Sequence, residues 1–524
     1  MSAKDSAQAW KKIPSSSAAV KAQLDYPVID TDLHTVEFGP LLEDYIDKYG
    51  GSAVVDKFRK GLQRGSGYVA NDWYDQTPEQ RLARRSARPP WWALPTKNTL
   101  DLATVSIPRL LHERLAEQGT DFAVLYPNVT TLAATVGDEN LRRPLARAVN
   151  HYHADTYRKY TDRLAPVAAI PLHTPKEGIE ELEFAVKTLG LKTVLIPGAI
   201  RRPVAEAAEH YPAKHHPVVA RYAFWVDTFG VDSLHNYDPF WAKVVELGVA
   251  PTTHSGSQGW TSRATVSNYM YNHIGHFADA SEALAKSLFF AGVTKRFPKL
   301  RIGFLEGGAA WAANVFADLV GHWEKRGEKQ VQNYNPEAID GDLLESLWRE
   351  YGAEVLGKRD LKREDLVGGA LGTSNNTRRQ AQDPKALDDF AAAEITSVED
   401  IRDRFVPNFF FGAEADDPTV AHAFNTKVNP LGVRLNAFWA SDSGHWDVPD
   451  LTKTLSDTWS LVERGALTQQ DFKDLVFNNP YRFYTEANPA FFKGTQVETK
   501  LAALAGKAPA KAAKAGAKPG HAAA

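Results

Sequence analysis

Asp32 and His34 stand two residues apart in the stretch YPVIDTDLHT, residues 26–35. A strand turns alternate side chains to opposite sides, so Asp30, Asp32 and His34 are expected on one face. Carboxylates gathered on a buried face repel one another, and each is costly to bury without a partner. A cation beside them answers both problems, and the residue types point to a divalent metal ion.

Similar residues recur where later apolar runs end: His254 in APTTHSGSQGW, Glu306 in FLEGG and Asp442 in FWASDSGHW. Imidazole nitrogens and carboxylate oxygens at a common centre suit zinc, manganese or iron, and zinc is the first expectation. The fourth run, TVLIPGA, ends without a lysine. A lysine carbamate bridging two ions is therefore not expected, and one ion is. Such an ion lowers the pKa of bound water and polarises a carbonyl. Asp442 can hold that water and move its proton. Glu306 is a candidate second acid or base, against a simpler role as a helix-start carboxylate beside Gly307 and Gly308. His276, in NHIGHFADA, is a candidate proton donor, against a loop histidine bonded to backbone, with His273 the weaker candidate. His445, Arg201 and Trp260 are candidate substrate contacts. Arg201 and Arg202 could clamp a carboxylate, and Trp91, Trp92 and Trp260 could line a pocket or simply pack. His210, His215 and His216 share a loop without acids and are not expected to hold a second metal.

Short apolar runs at 28–34, 121–126, 165–172, 192–197, 248–254, 300–306, 408–413 and 436–441 supply strand candidates for positioning these residues. Most of the intervals contain a helical pattern. TPKEGIEELEFAVKTLG opens at Thr174 and stops at Gly190. ADASEALAKSLFFAG places Asp279 and Glu282 at capping-box spacing. Eightfold βα alternation predicts a (β/α)8 barrel, whose active site forms where strands end. First and eighth strands are neighbours in such a barrel, so Asp32, His34 and Asp442 should converge. Insertions are expected near 35–100, 198–235 and 326–405, after strands 1, 4 and 6. The barrel domain spans 26–495, flanked by an extension at 1–25 and an Ala/Lys-rich tail at 496–524.

The 524 residues carry 61 basic and 64 acidic side chains, which leaves no basic field for nucleic acid. Without cysteine, thiolate metal sites and thiol nucleophiles are excluded. No apolar run of membrane length and no secretion-signal core is present, and the expectation is a cytoplasmic enzyme of a small molecule.

The chain resembles the amidohydrolase superfamily, in the amidohydrolase-2 branch that includes aminocarboxymuconate-semialdehyde decarboxylase. The resemblance rests most on GVTKRFPKLRIGFLEGGAAW at 292–311, with the Asp-x-His of the first strand, ELGVAPTTHSG, ASDSGH and FNNPYRFY. It implies Asp32, His34, His254 and Asp442 as metal ligands, and a homo-oligomer, most often a dimer. Two departures stand out. Relatives commonly have His-x-His where Asp32 stands, and decarboxylases have histidine where this chain has Glu306. The leading expectation is a mononuclear metal-dependent hydrolase of a carbonyl-containing substrate. The alternative is a non-oxidative decarboxylase of an aromatic or unsaturated acid, and a non-catalytic ligand-binding barrel is third.

Overall fold

The computed structural model describes residues 14–62, 73–89, 97–327, 329–335, 338–369 and 387–507. Trp91, Trp92, the polar run at 372–384 and the tail beyond 507 lie outside the described residues. Eight parallel strands follow one another around a barrel, in the order β1 (Ile29–Thr35), β2 (Phe122–Pro127), β3 (Leu164–Ala169), β4 (Thr193–Ile196), β7 (Pro251–Thr253), β8 (Ile302–Phe304), β9 (Phe409–Ala413) and β10 (Asn436–Trp439). Each coincides with one of the eight apolar runs. FAVLYP and FFFGA are buried along their whole length, as expected for parallel strands covered on both faces.

The ring closes between β1 and the chain just after β10. His34 donates its backbone N–H to Ser443 O at 2.7 Å, and Asp442 donates to Asp32 O at 3.0 Å. Thr31 adds a hydroxyl bond to Trp439 O at 2.7 Å. Phe304, Phe409, Phe410, Phe411, Phe438 and Trp439 belong to one continuous buried core. Gly303 leaves room for it, since a Cβ there would stand 2.9 Å from the Phe438 ring.

The intervals after β1, β4 and β8 are long, as expected. Helices Gly39–Gly50 and Ser52–Leu62 bury Leu42, Ile46, Val55 and Phe58 against Leu145, Val149 and Tyr152 of helix Glu139–Tyr157. The first insertion is thus part of a packed layer. The second holds a separate antiparallel pair, β5 (Ile200–Pro203) with β6 (Phe224–Asp227).

One helix start differs from expectation. Helix His276–Phe290 begins ahead of Asp279 because Gly275, at φ 75°, turns the chain into it without a side-chain cap. Asp279 instead accepts from Arg263, and Glu282 pairs with Lys286. Helix Pro175–Glu183 does open on Thr174, whose hydroxyl accepts from Glu177 N. No described helix is long and apolar enough to cross a membrane.

Candidate metal centre

Asp32 and His34 lie in the middle and near the end of β1, while His254 follows β7, Glu306 follows β8 and Asp442 follows β10, so the five gather towards the carboxyl ends of barrel strands. Nε2 of His34 lies 3.1 Å from Nε2 of His254, 3.0 Å from Asp442 Oδ1 and 3.5 Å from Asp32 Oδ1. His254 Nε2 is 3.7 Å from Asp32 Oδ2 and 2.9 Å from Glu306 Oε2. The donor atoms of Asp32, His34, His254 and Asp442 all lie within 4.8 Å of one another. So do those of His34, Glu306, Asp442 and His445.

Asp32, Glu306 and Asp442 are buried. Both oxygens of Asp32, Oε2 of Glu306 and Oδ1 of Asp442 have no hydrogen-bond partner there. Buried carboxylate oxygens otherwise find donors, so four orphans around two imidazole nitrogens fit a divalent cation. Burial, reinforced by the neighbouring acids, pushes the Asp32 and Glu306 carboxyls well above the usual range. Burial also works against the charge of Asp442, but His445 and His34 outweigh it and hold that carboxyl well below the usual range. His34 falls to about 4, chiefly through burial, which leaves its ring neutral and able to donate a lone pair.

Asp30 does not join this cluster, although the two-residue spacing predicts that it should. The pairing of β1 with β2 slips between Asp30 and Leu33. The Asp30 carboxylate accepts from Ser441 N at 3.0 Å, Ser441 Oγ at 2.5 Å, Asp32 N at 3.1 Å and Gln118 Nε2 at 3.1 Å. It is a fastening between β1 and the segment after β10, and burial raises it to about 7.

Two features of the backbone hold the acids in place. Glu306 and Asp442 both adopt left-handed conformations, at φ 57° and 51°. Such conformations persist in non-glycine residues where surrounding structure enforces them, often at functional sites. Gly444, at φ 93°, packs so closely on β1 that a Cβ would lie 2.3 Å from His34 O.

A cavity of about 240 Å³ opens over His34 and His254, with walls from Asn128, Gln258, Tyr269, His273, His276 and Phe277. His445 also faces it. Its ring stacks on His34 with centroids 4.6 Å apart, and its Nδ1 stands 3.1 Å from Asp442 Oδ2 and 3.4 Å from Asp447. Burial opposes the charge on His445, but these carboxylates raise it well above the ordinary histidine range.

His276 reaches the cavity with its Nε2 3.4 Å from Gln258, and burial lowers it to about 2. Burial thus disfavours its charged form, and its ring stands in the cavity wall. Its backbone carbonyl accepts from Ser257 N at 3.0 Å. Glu306, proposed from sequence either as acid/base or as a helix-start carboxylate, turns its side chain to His254 rather than to the helix that begins at Ala310.

Arg201 and Trp260 stand elsewhere. Arg201 donates to Gly259 O at 2.9 Å and lies over the Phe224 ring, while Arg202 is paired with Asp227. Neither Arg201 nor Trp260 lines the cavity. Gln258, Tyr269 and Asp447 were not anticipated. The two-residue step from His445 to Asp447 in SGHWD was a legible signal for the last of them. Gln258 and Tyr269 follow no spacing rule.

Residues 113–328 match the amidohydrolase family model. A 2-keto-4-carboxy-3-hexenedioate hydratase from Sphingobium sp. is 26% identical over 245 residues. That alignment covers 46% of this chain and 61% of the hydratase, less than two thirds of the relative's length. Among solved structures, an amidohydrolase from Mycobacterium avium subsp. paratuberculosis is 16% identical with a TM-score of 0.48, over 88% of this chain and 98% of that one. A 2,6-dihydroxybenzoate decarboxylase from Rhizobium is 14% identical with a TM-score of 0.43, over 88% and 99%. A manganese complex of 5-carboxyvanillate decarboxylase from Novosphingobium aromaticivorans is 14% identical with a TM-score of 0.44, over 88% and 96%.

Proposed function

Taking the chain as the amidohydrolase-family barrel that its family match and strand order describe, we propose that it is a divalent-metal-dependent lyase that removes carbon dioxide from a small aromatic or unsaturated acid. One observation carries this reading: the cavity over the donor cluster has polar and aromatic walls, with no lysine or arginine among its described residues and with His445 as a wall histidine that nearby carboxylates keep protonated. A substrate carboxylate placed there leaves water without gaining a lysine or arginine partner. Losing it as neutral carbon dioxide relieves that cost. The volume, about 240 Å³, suits one small planar acid against Phe277.

When bound at Asp32, His34, His254 and Asp442, the ion supplies Lewis-acid polarisation of a substrate oxygen. The chain's own groups handle the rest. As the bond to the carboxyl carbon breaks, its electron pair stays with the conjugated system. A proton must then reach the carbon left behind. His445 is placed to deliver it, since it faces the cavity, is hydrogen-bonded to Asp442 and is 21% exposed, which allows recharging from water.

Water addition is the second reading, favoured by the hydratase relative. Hydrolysis, the leading expectation from sequence, draws support from the family match alone. The three separate in one assay. Chelator-stripped protein, reloaded with manganese or zinc, is given hydroxybenzoates, unsaturated keto acids, lactones and amides. The expected result is metal-dependent carbon dioxide release, with deuterium from heavy water at the vacated carbon. Turnover of a lactone, an amide or an alkene, without carbon dioxide from any acid, would overturn the lyase reading.

A further inference from the structure

We propose that Glu306 is itself a ligand, making the centre a five-residue cage of two nitrogens and three carboxylates that prefers manganese(II) or iron(II) to zinc. The inference rests on the metal-dependent reading above and concerns only how the ion is held. Glu306 Oε2 is buried and orphaned, and it lies 2.9 Å from Nε2 of His254. The next distances along the cluster are 3.1 Å, from His254 to His34, and 3.0 Å, from His34 to Asp442.

Donors about 2.1 Å from an ion and at right angles to one another are about 3.0 Å apart, whereas tetrahedral donors are about 3.4 Å apart. The Glu306–His254, His254–His34 and His34–Asp442 pairs are each compatible with right-angle donors, and Glu306 shares His34 and Asp442 with the set of Asp32 and His254. Asp32, at 3.5 and 3.7 Å from the two imidazoles, stands slightly farther off with both oxygens free. Carboxylate-rich sets with more than four donors suit manganese or iron, while zinc favours four. The left-handed backbone at Glu306 turns the acid inward, away from the helix start that Gly307 and Gly308 lead into. As a ligand, Glu306 is not a free proton carrier, which leaves that task to His445.

The test uses full-length protein stripped of metal and titrated with manganese(II), zinc(II) and cobalt(II), in wild type, Glu306→Gln and Glu306→Asp. Folding of each is checked by circular dichroism. Wild type should bind one manganese and give the weak visible absorption of five- or six-coordinate cobalt. Glu306→Gln should lose at least about tenfold in manganese affinity, more than it loses for zinc, and show the stronger absorption of four-coordinate cobalt. Glu306→Asp should fall between. If Glu306→Gln cannot fold, Glu306→Asp carries the test: a lowered manganese affinity with an altered cobalt spectrum supports the proposal, and an unchanged affinity and spectrum, or an intense four-coordinate spectrum in the wild type, overturns it. Equal manganese affinity and unchanged cobalt spectra in wild type and Glu306→Gln would remove Glu306 from the cage and leave the metal-dependent reading standing. A wild type that binds no divalent ion would remove both.

Discussion

At Gly256, a single added methyl group would lie 1.9 Å from Nδ1 of His276. Backbone and ring are pressed together there, and the ring can retreat only into the cavity or against Phe277, whose centroid is 3.9 Å away. Gly256→Ala is therefore expected to displace His276 and Gln258. It should cost roughly 1–3 kcal/mol of stability and lower kcat/KM while leaving metal content unchanged. Urea denaturation and metal analysis on the same sample check both halves. A fully active, fully stable variant would show that the wall does not need this fit. The same residues show why the cavity was only half legible in the sequence. His276 and His445 were visible as histidines near strand ends. The neutrality of one and the charge of the other depend on what surrounds them in space, and that surrounding comes from distant segments.

The eight strands could be read directly because each is an apolar run bounded by turns, and parallel strands buried on both faces leave that imprint. The convergence of Asp32, His34, His254 and Asp442 was legible too, since the carboxyl ends of barrel strands share one rim. What stayed hidden was the slip between Asp30 and Leu33, which no pattern of residue types encodes and which separates Asp30 from Asp32 and His34. Also hidden was the helix start at Gly275, where a left-handed glycine outweighed the spacing of Asp279 and Glu282. The slip has an element-scale consequence. Gln118, at the end of helix Pro108–Gln118, donates to Asp30 at 3.1 Å, Ser441 Oγ at 3.2 Å and Ser443 Oγ at 2.7 Å, tying the first strand to the last. Gln118→Ala leaves these buried acceptors short of a donor and should destabilise the fold by about 1–3 kcal/mol. Chemical denaturation measures it. A change below a few tenths of a kcal/mol would show that the seam is held by its backbone bonds alone.

Over the whole molecule, buried acids set how stability follows pH. Asp30 is raised by burial from 3.8 to about 7. Between those values the folded protein keeps a proton that the unfolded chain releases, so this group's stabilising contribution is full below about pH 4 and is lost as pH rises towards 7. Asp32 and Glu306 act in the same direction in the metal-free protein. Asp30→Asn removes one such titration. The stability of metal-free wild type relative to this variant is expected to decline by as much as a few kcal/mol between pH 4 and 7, then level off. Denaturation series with chelator present give the comparison. A difference constant across that range would mean Asp30 stays ionised in the fold.

The closing seam between β1 and Ser443 also sets the order in which the candidate metal centre can assemble during synthesis. Asp32 leaves the ribosome early and Asp442 late, and chains emerge from their amino ends. Until the last strand is out and docked, the first-strand ligands face a gap where Asp442 belongs. Chains ending before Asp442 therefore lack one member of the candidate donor cluster, which comes together only when the last barrel strand has docked on the first.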